Sequence, residues 1–315
     1  MKLRRLTLHH ARQLGTLAGL LVLMTVLAIL SPHFLTRSNL LTVLEQTAIN
    51  AIIAVGMTLV IISAGIDLAV GSILALSGIV LGLVLQAGVP VPLAILLAVV
   101  AGGTCGLVNG LLITLGRLPP FIATLGMMSV ARGAALLLTD GRPVSGFEGG
   151  FRALATGLVL HIPAPALIML AVYAVAHFLL TRTRFGLYTY SMGGNEQATH
   201  LAGINVSFHK TAIYVFSGCT SAIAAIVLTA RLNSAQPIAG IAYELDAIAA
   251  TVIGGTSLMG GQGTLVGTLI GALIMGVLKN GLNLLSVSSF MQQIIIGGVI
   301  IAAVLFDTLV KQRRR

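Results

Sequence analysis

The sequence predicts an all-α, polytopic membrane protein with about ten transmembrane helices, and three observations carry that prediction. Composition comes first: 57% of the residues are hydrophobic and 8% charged, with a mean hydropathy of +1.04. So little polar surface cannot clothe a water-soluble core. The second observation is a succession of apolar runs near the roughly 20 residues that a helix needs to cross about 30 Å of hydrocarbon. The third is charge placement, with Lys and Arg crowding the ends and a few short loops, where they set orientation and meet anionic headgroups. A net charge of +10 would suggest nucleic acid for a soluble protein. Distributed this way, it indicates membrane lipid and no nucleic acid.

The first run, 14–31, follows the basic stretch Met1 to Arg12 in the layout of a signal peptide. SPHFLTRSNL follows it without a small-x-small cleavage pattern, so the run reads as an uncleaved first helix. The runs 43–63, 68–86, 92–115, 122–138 and 164–181 come next, and after a polar interval 211–230, 244–258, 262–282 and 290–309. The run 244–258 is the least regular. Glu244 and Asp246 stand at its start, and Gly254 and Gly255 interrupt its end. Cys105 and Cys219 both fall inside apolar runs and read as small packing residues.

Basic residues orient the chain. With the N-terminus in the cytoplasm, Lys2, Arg4, Arg5, Arg12, Arg117, Arg182, Arg184, Lys210, Lys311 and Arg313 to Arg315 lie inside, 12 of the 18 Lys and Arg. Arg37, Arg142, Arg152, Arg231 and Lys279 fall outside, and Arg132 falls within a run. Both termini are therefore expected in the cytoplasm, with residues 1–315 forming a single transmembrane domain.

Glycine is placed in two ways. Gly102, Gly106 and Gly110, and again Gly263, Gly267 and Gly271, recur every four residues. Such stripes let helices approach closely in lipid; packing within the chain is the expected use, with a dimer face or sliding surface as the alternative. Other glycines break helices, in SAGIDLAVGS at 63–72 and IGGTSLMGGQGT at 253–264. Irregular backbone at membrane depth is tolerated only against protein or a wet cavity. Each break either borders a path or gate or makes a tight turn between helices.

Few ionisable groups sit in or near the runs, which makes each informative. Among them are Asp67, Arg132, Glu244, Asp246 and Asp307. Asp67 reads as a loop or cap hydrogen-bonding group or as a lone cation or proton site, and Arg132 as paired with a carboxylate or snorkelling. No chain of carboxylates and histidines suggests a proton relay. A phosphate-binding G-x-x-x-x-G-K-[ST], an H-E-x-x-H, a C-x-x-C and a G-x-S-x-G are all missing. No cofactor and no catalysis are expected, and any energy for uphill movement has to come from a bound partner.

The polar island Arg182 to Lys210 is the one mid-chain segment rich in charge, amide and hydroxyl groups. Gly193 and Gly194 read as a flexible lead, Asn195 as an N-cap, Glu196 to Leu201 as a short helix and Gly203 as its stop. Ala198, Leu201 and Ala202 would form an apolar face beside Glu196, suited to a groove on a soluble partner.

NAIIAVGMTLVIISAGIDLAVGS at 50–72, FIATLGMMSVARG at 121–133 and RTRFGLYTYSMGGNEQATHLAGINV at 182–206 carry a resemblance that also includes ARLNSAQPIAGIAYELDAIAATVIGGTSLMGGQGTLVGTLIGAL at 230–273 and NGLNLLSVSSF at 280–290. From about Leu30 to Asp307 the chain resembles the inner-membrane permeases of bacterial ABC sugar importers, within the monosaccharide branch and nearest its ribose members. It departs from them mildly at Ala69, where Ser is usual, and at His200, where Arg is more common. The resemblance implies a non-catalytic permease, two copies of which form the pore. Cytoplasmic ABC ATPase subunits would bind below and a periplasmic sugar-binding protein above. It also implies an ATPase-coupling helix made by Gly193, Gly194, Asn195, Glu196, Ala198, Leu201 and Gly203 within the loop 182–210.

For the gate or pathway, Asp67, Asn109, Arg132, Asp246 and Asn280 are the candidates. For docking the binding protein they are Arg142, Arg152 and Arg231. Asn50, Thr58, Ser63, Thr124 and Asn283 complete a sparse polar lining that would hold a neutral sugar weakly. An ion-coupled sugar carrier or channel, and a permease for nucleosides or branched-chain amino acids, are the alternatives.

Overall fold

The computed structural model describes residues 2–159 and 161–312, with side-chain surroundings for residues 14–158 and 161–305. The side chains of Asp307, of Lys2 to Arg12 and of the basic residues at 311–315 lie outside those whose surroundings are described.

Among the described residues the chain is mostly helical, with irregular connections between the helices and two pairs of two-residue strands. In order it forms α1 (Lys2–Leu30), α2 (Arg37–Ile62), α3 (Val70–Gln86), α4 (Val91–Thr114), α5 (Pro120–Leu137), β1 (Val144–Ser145), α6 (Gly149–Thr156), β2 (Leu158–Val159) and β3 (Ile162–Pro163). Then come α7 (Ala164–Arg182), α8 (Arg184–Gly194), α9 (Glu196–Leu201), α10 (Val206–Leu232), β4 (Ser234–Ala235), α11 (Tyr243–Ile253), α12 (Leu265–Leu284) and α13 (Ser289–Gln312). β1 pairs antiparallel with β4, and β2 with β3. Six helices, α2, α4, α5, α7, α10 and α12, are each long and apolar enough to cross a membrane, and shorter apolar stretches occur at Leu14–Leu30, Val70–Gln86 and Ser289–Leu305. The chain is thus a polytopic helical membrane protein.

The expected run 244–258 is different. It folds as the 11-residue α11, which at 1.5 Å per residue covers about 16 Å, half the hydrocarbon thickness. Its acidic first turn and the Gly254–Gly255 stop set those limits.

Local chemistry explains the boundaries. Thr36 caps α2 by accepting from the Asn39 N–H, and Asn205 caps α10 by accepting from Phe208 at 3.0 Å. Pro120 opens α5 at a position where its missing N–H costs nothing. α3 ends in a tight turn, the Val89 N–H bonding back to the Val84 carbonyl, with Gly88 at φ +79 supplying the left-handed residue.

α2 lies at the centre. Every residue from Ala51 to Ile62 is buried, so its sequence is apolar on all sides rather than amphipathic. The glycine stripe of α4 packs on α10: a Cβ on Gly106 would fall on the Tyr214 carbonyl oxygen, and one on Gly110 would press on Thr211. The stripe of α12 packs on α11, with Gly267 against Gly254 and Gly271 against Ala250. Both stripes therefore serve close approach within the chain, where dispersion is gained without any hydrophobic drive.

Candidate functional site

The island 182–210 folds into α8 and α9, joined at Asn195. The Asn195 Oδ1 accepts from the Ala198 N–H at 2.9 Å, and the chain leaves through Gly203 at φ +82. Ala198, Leu201 and Ala202 are exposed, Leu201 to 86%. Lys210 Nζ, on the first turns of α10, donates to Glu196 Oε2 at 2.7 Å. The short helix is thereby tied to a long one.

Gly193 and Gly194 are not a flexible lead but the last turn of α8. Gly193 abuts the Ile62 carbonyl at the end of α2 and the backbone of Gly261, whose N–H donates to that same carbonyl at 2.8 Å. Tyr190 donates its hydroxyl to the Gly263 carbonyl at 2.8 Å. Burial pushes its phenol up to about 12, so the donor persists at physiological pH. The island, the end of α2 and the glycine break 254–264 therefore meet at one junction. A Gly193→Val chain is expected to lose about 3 kcal/mol through backbone displacement there, read as a lower melting temperature in detergent.

The first break, 63–69, turns on Ala64 at φ +61. Asp67 is fully buried, accepting from the Ala69 N–H at 3.0 Å and from Ser217 Oγ at 2.7 Å. These two bonds close the loop locally and fasten the break to α10. Arg132 meets no carboxylate within ion-pair distance among the described residues; one guanidinium nitrogen donates to the carbonyls of Pro237 and Ala239, both at 2.6 Å. That clamp fixes the segment after β4, whose Gly240 lies against Gly71 at the start of α3. Asn109 is fully buried, and its amide atoms have no hydrogen-bond partner among the described residues.

At the end of the bundle opposite the island, α2, α10, α11, α12 and α13 line a polar cavity of about 220 Å³. Lys279 on α12 donates to Asp246 Oδ2 on α11, and Asn50 on α2 donates to the same oxygen at 3.4 Å. Arg231 Nε stands 3.8 Å from Glu45 Oε2.

The sequence candidates therefore separate. Asp246 lines the cavity, together with Asn50, Asn283 and Arg231. Arg231 faces Glu45 and the cavity, whereas Arg142 and Arg152 are exposed. Asn280 exchanges amide hydrogen bonds with Asn39 at 2.9 and 3.0 Å, pinning the α1–α2 turn to α12. Asp67, Asn109 and Arg132 are not among the cavity residues. Sequence reasoning passed over Thr47 and Lys279 as site residues; for Lys279 the signal was available, since it lies inside the apolar run 262–282.

Residues 39–304 match the family described as the permease component of the branched-chain amino acid transport system. The chain is 51% identical over 298 residues to the ribose import permease protein of Bacillus subtilis, covering 94% of this chain and 92% of that one. It is 50% identical over 296 residues to the ribose import permease protein of Escherichia coli K12, covering 93% and 92%. With the D-allose transport system permease protein of the same organism it shares 40% identity over 300 residues, 95% and 92% of the two chains. No solved structure matches the chain significantly. A helical bundle too apolar for water, matched along most of its length by a single family, belongs to the branched-chain amino acid transport system permease-component family.

Proposed function

We propose that this chain is the membrane-spanning permease subunit of a bacterial ATP-driven importer that carries ribose into the cytoplasm. The observation that carries this reading is the identity of about one residue in two, along more than nine-tenths of both chains, with ribose import permease proteins. Residues 1–315 act as one transmembrane domain in the inner membrane, paired with a second copy and surrounded by lipid, with both termini in the cytoplasm. Separate ATPase subunits hydrolyse ATP.

The ATPase is engaged by α9. Its exposed Ala198 and Leu201 present an apolar face, while the Asn195 cap and the Glu196–Lys210 pair hold it on α10. The junction of Gly193 with Ile62 and Gly261 supports a direct route from that face to α2 and to the loop joining α11 and α12. Such a route biases a two-state pore when the ATPase closes on ATP. Arg142 and Arg152, exposed at the other end, contact the sugar-binding protein. Asp67 and Arg132 hold the broken segments whose movement opens the path, and Asn109, buried in α4 without a hydrogen-bond partner among the described residues, belongs to the same gate.

The test is uptake of radiolabelled ribose into proteoliposomes holding this chain and the ATPase that co-purifies with it, with ribose-binding protein outside and ATP inside. Uptake that needs all three components is expected. Ribose entering without ATP or binding protein would mean a carrier or channel, and D-allose entering in place of ribose would reassign the sugar.

A further inference from the structure

The cavity at the end of the bundle opposite α9 has the size and chemistry of a small-molecule site. Its volume of about 220 Å³ corresponds to about seven water molecules at their liquid volume, room for one sugar ring. Polar groups converge on it from five helices: Gln46, Thr47 and Asn50 from α2, Asp246 from α11 and Lys279 and Asn283 from α12, with Arg231 from α10 and Gln292 from α13 at its edge. Thr47 is 2% exposed, and its hydroxyl and the Asn50 carbonyl oxygen have no hydrogen-bond partner among the described residues. Buried groups left in that state cost free energy until something bonds them.

Charge narrows the ligand class. Lys279 is matched by Asp246 and Arg231 faces Glu45, so the local charges cancel. A permanent ion gains no net attraction there, whereas a neutral polyol can donate to Asp246 and the Asn50 carbonyl and accept from Lys279 and the amides. Tyr243, Ala250 and Met275 supply an apolar wall, as an amphipathic ring requires.

We propose that this cavity is a transit subsite for the carried monosaccharide, bound through its hydroxyls by Thr47, Asn50, Asp246 and Lys279. The proposal rests on the transport reading above and adds the place and chemistry of sugar contact within one copy of the chain. Two points of the geometry suit passage rather than storage. The ion pair already occupies part of the bonding capacity of Asp246 and Lys279, so each sugar hydroxyl meets a partly satisfied group. The cavity also borders α11 and α12, whose connecting loop reaches the junction with the island, so its walls belong to the elements that the ATPase would move.

The experiment replaces Asn50 by Leu and Thr47 by Val together, changes that keep volume and remove hydrogen bonding. The full assembly is then reconstituted, and ribose moved per ATP hydrolysed is measured. The expected result is binding-protein-stimulated ATP hydrolysis within about twofold of the parent chain, with ribose per ATP lowered about tenfold. A parent-like ratio in this variant overturns the subsite. In case the double variant does not assemble, Gln46→Cys, in a chain with Cys105 and Cys219 changed to Ala, is alkylated with N-ethylmaleimide during turnover. Ribose-loaded binding protein is expected to slow alkylation severalfold relative to the sugar-free binding protein, and a rate indifferent to ribose overturns the subsite. A parent assembly that hydrolyses ATP and moves no ribose fails at an earlier step and overturns the transport reading together with the subsite.

Discussion

Changing Glu196 to Arg is expected to lower ATP-dependent ribose uptake about a hundredfold while costing the folded chain only about 2 kcal/mol. The two magnitudes come from different parts of the same contact. Glu196 is half exposed and Lys210 nearly buried where they pair at 2.7 Å, so reversal costs more than in a fully exposed pair but less than in a fully buried one, about 2 kcal/mol. Reversal therefore leaves the bundle folded. At the surface that α9 offers a partner, a reversed charge beside an apolar contact commonly costs about 2–3 kcal/mol, close to two powers of ten. Membrane insertion and melting temperature measured beside uptake separate the two effects. The exchanged pair, Glu196→Lys with Lys210→Glu, restores the tie to α10. Recovery of uptake would mean that Glu196 acts by anchoring α9, and continued loss would mean that it touches the partner. Uptake within threefold of the parent in the single variant would remove α9 from the coupling role.

The second large effect is expected at Asp246 and Lys279. Asp246 is 5% exposed, and its carboxylate is held by Lys279 and Asn50. Lys279→Met leaves that carboxylate without its cation in a polar but confined space, at a cost of about 3 kcal/mol. Adding Asp246→Asn to Lys279→Met removes the orphaned charge and is expected to recover most of the loss, since burying an ion pair is itself expensive. Thermal unfolding in detergent reads both numbers. A double variant no more stable than the single one would show that the pair contributes by packing its side chains rather than by balancing charge.

Much of the architecture was legible in the sequence because lipid imposes simple rules. Apolar length marks a crossing, which located the six long apolar helices but gave no sign of α6 or α8 and overextended α11, and Asn195 and Gly203 marked the ends of a short helix through backbone demands that act locally. Glycine every fourth residue marked close helix contacts, although nothing local told which helix would fill the groove. That choice fell to Gly218 and Thr211 on α10, more than a hundred residues from Gly102 and Gly110.

The remaining features are long-range and were decided by the tertiary structure. The fate of Arg132 depended on backbone carbonyls at Pro237 and Ala239, groups that every residue carries and no sequence pattern announces. Lys279 sat in an apolar run as an isolated charge until folding brought Asp246, 33 residues earlier, against it. Gly193 and Gly194 looked like slack in the chain, but the packing of Gly193 against Ile62 and Gly261 makes it a backbone contact between the island and the core. Sequence alone determined the solvent, the class of fold and the position of the polar island, because those follow from composition and short-range periodicity. Only the tertiary structure decided which polar groups share a cavity and which are sealed in hydrogen bonds, because a buried polar group takes its character from partners that the chain brings back from far away.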